Sequence, residues 1–253
     1  MNSYLLSIAA ILFFAVSSNA QRVAAPENKE QAGKSKGVLL HFSLGGHLPG
    51  GDLADRFGVN GAIGGGLEFL TSKNWVFGLE GAFHFGSVVK EDPLSILRTP
   101  EGDIIGNDRA IATVRLQQRG MYLGAVAGQL IPIGDKRAGI RWTIGAGWAQ
   151  HRIRILDDAR TAAQLTGDYK KGYDRLSGGP ALQQFIGWQN LGVRRELDWM
   201  AGFEFGQAFT QTRRDWDYSE MKKLSGQRLD LRFGIRLVFT LPMYVGNAED
   251  VYY

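Results

Sequence analysis

The sequence predicts an all-β protein, an eight-stranded antiparallel up-and-down transmembrane β-barrel. Three observations predict it: apolar residues alternate with small or charged ones, long and short connections alternate along the chain, and several tryptophans lie beside the short connections. The clearest alternation is 229–241, LDLRFGIRLVFTL, where the odd positions are apolar and, of the even positions, only Val238 is out of step. A period of two places these side chains on opposite faces of a strand, whereas a helix would scatter them around its axis.

Composition limits the class of protein before any strand is placed. The 253 residues include 34 glycines, 7 prolines and no cysteine, and the formal net charge is +4. This length suits one large β domain, and so small a charge excess gives no reason to expect nucleic-acid binding. Without cysteine we expect no disulfides, thiolate metal sites, cysteine nucleophile or N-terminal lipid anchor.

The N-terminus, residues 1–20, has the features of a secretory signal peptide. Its apolar run, 5–16, is too short for a usual membrane-spanning helix, and Ser18-Asn19-Ala20 fits a small-x-small cleavage site. Residues 21–36 are polar and are expected to form a flexible lead-in. The barrel is then predicted to cover 37–242, followed by a periplasmic C-terminal tail, 243–253.

Eight predicted strands follow one another along the chain. They cover about 38–46, 61–70, 75–85, 112–131, 138–155, 181–188, 197–209 and 229–241. The seven connections alternate from long to short and begin and end with a long one. This alternation is typical of transmembrane barrels with short periplasmic turns and long extracellular loops, and an even strand number leaves both termini in the periplasm.

The fourth and fifth predicted strands differ from the others in two respects. Both read as extended for eighteen residues or more, although about 9 to 11 residues cross a bilayer. Part of the sheet is therefore expected to stand above the membrane and give the long loops an ordered base. In the fourth strand the alternation also changes phase, and we expect a β-bulge near Gly120 to correct it.

The polar face of these strands is expected to line the barrel and the apolar face to meet lipid. A soluble barrel turns its apolar face inward, but here the polar face is rich in glycine, which makes room for charged side chains in a narrow interior. An unpaired buried charge would cost on the order of several kcal/mol, so the charges are expected to pair. The predicted interior charge network consists of Glu80, His84, Arg141, Glu204, Arg232 and Arg236.

The tryptophans support the same arrangement. Four of them have outward parity and fall near a short turn, where they are expected to form an aromatic belt at the periplasmic interface. These are Trp75, Trp142, Trp188 and Trp199.

Candidate chemistry in the interior is weak. His41 and Ser43 share one face of the first strand, which suggests the alternative of a lipid-modifying enzyme like the outer-membrane lipid A deacylases. Both side chains are expected to point inward, away from lipid, and no oxyanion site is evident nearby, so we expect no enzyme. No cofactor or metal site is expected, and Asp157-Asp158 and Asp215-x-Asp217 are at most loop contacts for calcium.

The fourth long loop is the candidate contact surface. It interleaves Arg213, Arg214, Trp216 and Tyr218 with acidic residues and lysines. Arginine and aromatic residues together are typical of binding hot spots, so contact with a protein partner or with the phosphates of lipopolysaccharide is expected.

Three segments carry a family resemblance. RTPEGDIIGN, LTGDYKKGYDRL and the closing AEDVYY, taken with the eight strands and the tryptophans, resemble the small outer-membrane barrels of Bacteroidota, the OmpA- and OmpX-like "porin family". The resemblance covers about 38–253 and is specific for architecture rather than for role. Some members of that group are similar to accessory subunits of type IX secretion or of the barrel-assembly machinery.

The resemblance implies an integral outer-membrane protein, in contact with membrane lipid and lipopolysaccharide, that acts as a non-enzymatic structural or accessory subunit through its extracellular loops. No peptidoglycan-binding domain follows the barrel, a departure from the full OmpA pattern that argues against cell-wall anchoring. A general pore is disfavoured, because eight strands leave no aqueous channel.

Overall fold

A computed structural model of the chain describes residues 36–245, except for 108, 135–136, 158–161 and 192–197. The predicted signal peptide, nearly all of the lead-in and most of the predicted tail lie outside the described residues. The strands are β1 (Lys36–Gly51), β2 (Asn60–Leu70), β3 (Trp75–Gly86), β4 (Ile104–Ile105), β5 (Ile111–Ala112), β6 (Val114–Pro132), β7 (Ala138–Asp157), β8 (Ser177–Asn190), β9 (Asp198–Thr212) and β10 (Gln227–Val245). One α-helix, α1 (Asp52–Arg56), follows β1, and 3-10 helices cover Ser95–Leu97, Ala163–Leu165 and Gly167–Gly172.

Eight of these strands close into a barrel in the order β1-β10-β9-β8-β7-β6-β3-β2. Every neighbouring pair is antiparallel, and β1 completes the ring because it pairs with β2 on one side and β10 on the other. The two remaining strands, β4 and β5, form a small separate hairpin. The predicted eight-stranded antiparallel up-and-down barrel is therefore confirmed.

The outer surface of the barrel is an apolar belt. Phe77, Phe203 and Phe233 all point outward, and Phe203 leaves 70% of its surface exposed. Such a large exposed apolar surface would aggregate in water and is stable in contact with lipid. A closed ring also pairs the backbone groups of each strand with its neighbours, as the hydrocarbon of a membrane requires. Val238, out of step in the sequence pattern, points inward and is 1% exposed.

Among the residues that the structure describes, no helix is both long and apolar enough to cross a membrane.

The prediction of a β-bulge near Gly120 is wrong. From Val114 to Pro132, β6 pairs with β7 without an interruption in register. Arg119, Met121 and Leu123 lie on the same outward face, but Met121 and Leu123 belong to the apolar belt and Arg119 lies beyond it. The alternation does not change phase. The outward face meets lipid at Met121 and Leu123 and lies beyond the apolar belt at Arg119, so its residues change from apolar to charged.

The two ends of the barrel differ as the connection lengths predicted. One end carries the short connections, and the other carries four long ones, whose described parts we call the cap. Strand β1 runs to Gly51, farther than expected, so α1 and only a few further residues make up the first long connection. At the opposite end β10 continues to Val245, three residues past the predicted boundary at 242, because it keeps pairing with β1 there.

Candidate functional site

Paired charges occupy the middle of the barrel interior. Arg236 lies 3.0 Å from Glu80 and 3.1 Å from Glu204, so one guanidinium bridges two carboxylates. His47 contacts the other oxygen of Glu204 at 2.9 Å. Farther toward the cap, His84 contacts Arg232. Five of the six residues of the predicted interior charge network lie in this part of the barrel, or directly beside it.

Arg141, the sixth, belongs to a different layer. Its side chain is completely buried toward the short-connection end and contacts Glu68 at 2.5 Å and Gln189 at 3.0 Å. Glu68 was missing from the predicted network, although its inward parity in the second strand was visible in the sequence. Parity places a residue on a face, but the layer to which it belongs depends on the stagger between strands, which the sequence pattern does not give.

All four histidines of the chain are buried in the interior. Besides the two already described, His151 contacts Asp230 at 2.8 Å, and the hydroxyl of Thr210 donates to the same carboxylate oxygen. The sequence pattern does not indicate His151, because this residue lies in the part of β7 beyond the apolar belt.

Both ring nitrogens of His41 have partners in the barrel interior. Its Nε2 lies 2.8 Å from Glu68 Oε2 and its Nδ1 lies 2.9 Å from Thr240 Oγ1. Both ring nitrogens are therefore engaged by groups other than Ser43. The interior cavity lined by both residues has a volume of about 20 Å³, space for a water molecule or two and not for an acyl chain.

The four tryptophans of the predicted belt all have outward parity. Trp75 and Trp142 pack edge to face with ring centroids 6.1 Å apart. Trp188 is 41% exposed, and Trp199 is half-buried at the start of β9. All four lie toward the end with the short connections. A fifth outward tryptophan, Trp148, lies at the opposite edge of the apolar belt.

Ion pairs tie the four long connections together. Arg56 in α1 contacts Glu91 of the second long connection at 2.5 Å. Arg175 of the third connection contacts Glu91 at 3.1 Å, and it contacts Asp217 of the fourth connection at the same distance. Burial lowers the pKa of Arg56. Arg56, Arg175 and Asp217 are buried and Glu91 is half-buried, so these pairs are shielded from water and hold the connections together.

The cap also has an apolar core of its own. It contains Leu94, Ile104, Ala112, Ile155, Ala162, Leu165 and Tyr173, with Tyr218 packed against it. The side chains of this core point inward, the reverse of the apolar belt. The long connections therefore fold as a small packed layer on one end of the barrel.

An open pocket lies on this layer. It has a volume of about 540 Å³, within the size range of ligand sites. Three of the four long connections contribute to its wall, which consists of Ile96, Leu97, Ala163, Gln164, Tyr169, Tyr173, Tyr218 and Met221. Tyr169 and Met221 are both 62% exposed. This pocket could not be predicted from the sequence, because its residues come from segments with no periodic pattern.

The four predicted contact residues of the fourth loop do not form one surface, because each contacts a different part of the protein or solvent. Arg214 makes two hydrogen bonds to Asp174, at 2.9 and 2.5 Å, and this pairing raises the pKa of Arg214. Tyr218 lines the pocket, and Trp216 is 48% exposed. Arg213 lies over the ring of Trp148, 4.7 Å from its centroid.

Two of the four aspartates considered for calcium are engaged within the protein, and Asp215 is exposed. Asp157 accepts a hydrogen bond from the Ala162 amide, and Asp217 pairs with Arg175. Asp158 lies outside the described residues, and those that are described contain no cluster of three or more acidic or histidine side chains arranged to hold a metal.

Comparison with known proteins finds similarity in structure alone. No family model and no curated protein matches the sequence. Among solved structures, Neisserial surface protein A is similar at 10% identity and a TM-score of 0.40, over 81% of this chain and 97% of that chain. The attachment invasion locus protein Ail of Yersinia pestis is similar at 8% identity and a TM-score of 0.38, over 82% and 99%. The N-terminal β-barrel domain of Pseudomonas aeruginosa OprF is similar at 11% identity and a TM-score of 0.34, over 79% and 97%.

Proposed function

We propose that this protein is an integral outer-membrane barrel that acts as a non-enzymatic structural or accessory subunit of an envelope assembly or secretion machine, of the barrel-assembly or type IX kind. The observation that carries the proposal is the cap, an ordered layer with an open apolar pocket. The partner contacts the cap, and the barrel holds it at the membrane surface.

The outer membrane suits this barrel for physical reasons. Outer-membrane barrels have short turns on the periplasmic side and long loops outside the cell, an even number of strands and an apolar band. In that orientation the cap faces the cell exterior and both termini are periplasmic.

The rigidity and the lining of the pocket favour recognition. Binding loses less conformational entropy when the loops are already ordered, and the ion pairs through Glu91 and Arg175 order them here. Tyrosine and methionine are enriched at protein interfaces, and an apolar pocket can accept one anchoring side chain of a partner. The interior has no comparable space among the described residues, and its histidines bond to structural partners.

Co-purification with and without an intact pocket tests the proposal. The tagged protein is isolated from crosslinked envelopes as wild type, as Tyr169→Ala/Met221→Ala, and as Ile111→Ala. Ile111 is 66% exposed on the cap and does not line the pocket. We expect a stoichiometric envelope partner with the wild type and with Ile111→Ala, and a loss of about tenfold or more with the pocket variant, because hot-spot truncations cost about 2 kcal/mol or more.

Two results would contradict it. Recovery of as much partner with the pocket variant as with the wild type would show that the partner does not bind at the pocket of the cap. A change in lipid A structure on deletion, restored by the wild type but not by His41→Ala, would favour the enzymatic alternative with His41 and Ser43.

A further inference from the structure

Three arginines lie together on the outer face of the barrel just beyond the apolar belt. Arg119 on β6 and Arg152 on β7 are directly opposite in the strand register, and Arg154 follows Arg152 on the same face. Directly opposite side chains in a sheet have Cβ atoms about 5 Å apart, and like charges at such positions destabilise the pair. Anions close to such a cluster would relieve this repulsion.

Among the residues that the structure describes, few acidic side chains approach this cluster. The side chain of Arg119 donates to two neutral acceptors, Gln117 Oε1 and the Gln118 carbonyl. Arg152 lies 4.0 Å from Asp174, but both oxygens of that carboxylate already accept hydrogen bonds from Arg214. The guanidinium groups of the cluster therefore keep donors available to a ligand.

The height of the cluster indicates the kind of anion. On β6, Arg119 is two residues from Met121, which is 47% exposed in the apolar belt. Two residues of a strand span about 6.7 Å, so the arginines begin where hydrocarbon gives way to headgroups. Phe85, the outward residue opposite Arg119 on β3, marks the same edge.

Arg213 joins this edge from the top of β9. It stacks on Trp148 at 4.7 Å and its Nε donates to the Gly178 carbonyl at 3.2 Å. A tryptophan at the edge of the belt with a cation over its ring is a membrane-interface arrangement. It also fixes the guanidinium beside the position that a lipid headgroup would occupy.

We propose that Arg119, Arg152, Arg154 and Arg213 bind the phosphate groups of lipid A. The guanidinium fork binds phosphate oxygens in pairs, and basic clusters beside a membrane segment attract anionic headgroups. The proposal rests on the orientation given above, in which the cap side faces the outer leaflet. Lipid A then seals the outer wall of β6 and β7 and holds the cap at a fixed height.

Native mass spectrometry of the protein released from nanodiscs tests this site. The nanodiscs contain equal amounts of lipid A and phosphatidylglycerol in a phosphatidylcholine background. We expect the wild type to retain lipid A in preference to phosphatidylglycerol, and Arg119→Gln/Arg152→Gln/Arg154→Gln to retain about tenfold less, since a hydrogen bond to a charged group contributes at least about that factor. The control Lys170→Gln/Lys222→Gln/Lys223→Gln removes the same charge from the cap and should retain lipid A as the wild type does.

Three outcomes would overturn the proposal. They are equal retention of phosphatidylglycerol, unchanged lipid A retention by the folded arginine variant, and equal binding by the wild type of lipid A from which the phosphates have been removed. The last comparison needs no variant and does not depend on how well one folds. Because neither lipid measurement involves a protein partner, failure here leaves the co-purification result intact, and failure of that result leaves this one intact.

Discussion

Arg236→Met tests whether paired charges hold the barrel interior together. The guanidinium of Arg236 neutralises Glu80 and Glu204 at 3.0 and 3.1 Å. At an effective dielectric constant of about 20, each contact contributes about 5 kcal/mol of Coulomb energy, and desolvation of the charges offsets most of it. Removing one partner of a buried pair costs about 3 to 5 kcal/mol, because the remaining charge keeps its desolvation penalty. We expect the free energy of unfolding to fall by that amount.

Unfolding in urea from lipid vesicles, followed by tryptophan fluorescence, measures the effect. The matched control is Arg98→Met, which removes the arginine of a partly exposed pair with Asp92 at 2.5 Å. An exposed pair contributes about 0 to 1 kcal/mol, so the control should remain near wild type. Adding Glu80→Gln to Arg236→Met should recover about 1 to 2 kcal/mol, because it removes one of the stranded carboxylates. Equal losses for the two methionine variants would refute the reasoning.

Three further predictions concern the cap and its edge. Arg175→Met should lower the free energy of local opening throughout the cap by about 3 kcal/mol, measured as faster hydrogen exchange, and leave the barrel strands protected. A cap as well protected as in the wild type would contradict the role of the ion pairs. Gly172→Ala should also loosen the cap, because its methyl group would overlap the ring of Tyr218. Its control is Gly46→Ala in β1, where the new methyl group meets open space and should change stability by less than about 0.5 kcal/mol. Trp148→Ala should reduce lipid A retention about two- to fivefold through loss of its contact with Arg213, and unchanged retention would oppose that contact.

The membrane part of the fold could be predicted from the sequence because lipid imposes a simple rule on it. Outward positions must be apolar along the whole crossing, so the period of two in 229–241 gives the correct face for Phe233 and Arg236. The alternation of connection lengths gives the topology. The stagger between strands leaves no such pattern, and for this reason Arg141 was grouped with Glu80 although it pairs with Glu68.

The cap could not be predicted in the same way. Its core brings together residues such as Leu94, Ile104 and Leu165 from connections that have no periodicity. Each apolar residue in such a segment is compatible with many packing arrangements, and the arrangement is fixed only when several loops meet. The pocket depends on this convergence, so no single segment carries a signal for it.

Strand β7 shows how one strand serves two solvents. Ile144 points outward and is 52% exposed, whereas Ile153 points inward and is fully buried. Between them the outward side chains change from Trp148 to Arg152, while the register with β6 continues without a break. The hydrogen-bonded ring of strands therefore continues past the apolar belt. Within the belt the outward side chains are apolar, and beyond it the inward side chains are apolar. Displacing the barrel outward would expose part of the apolar belt to water, and displacing it inward would draw Arg152 into hydrocarbon. Both changes are unfavourable, and this fixes the height at which the cap stands.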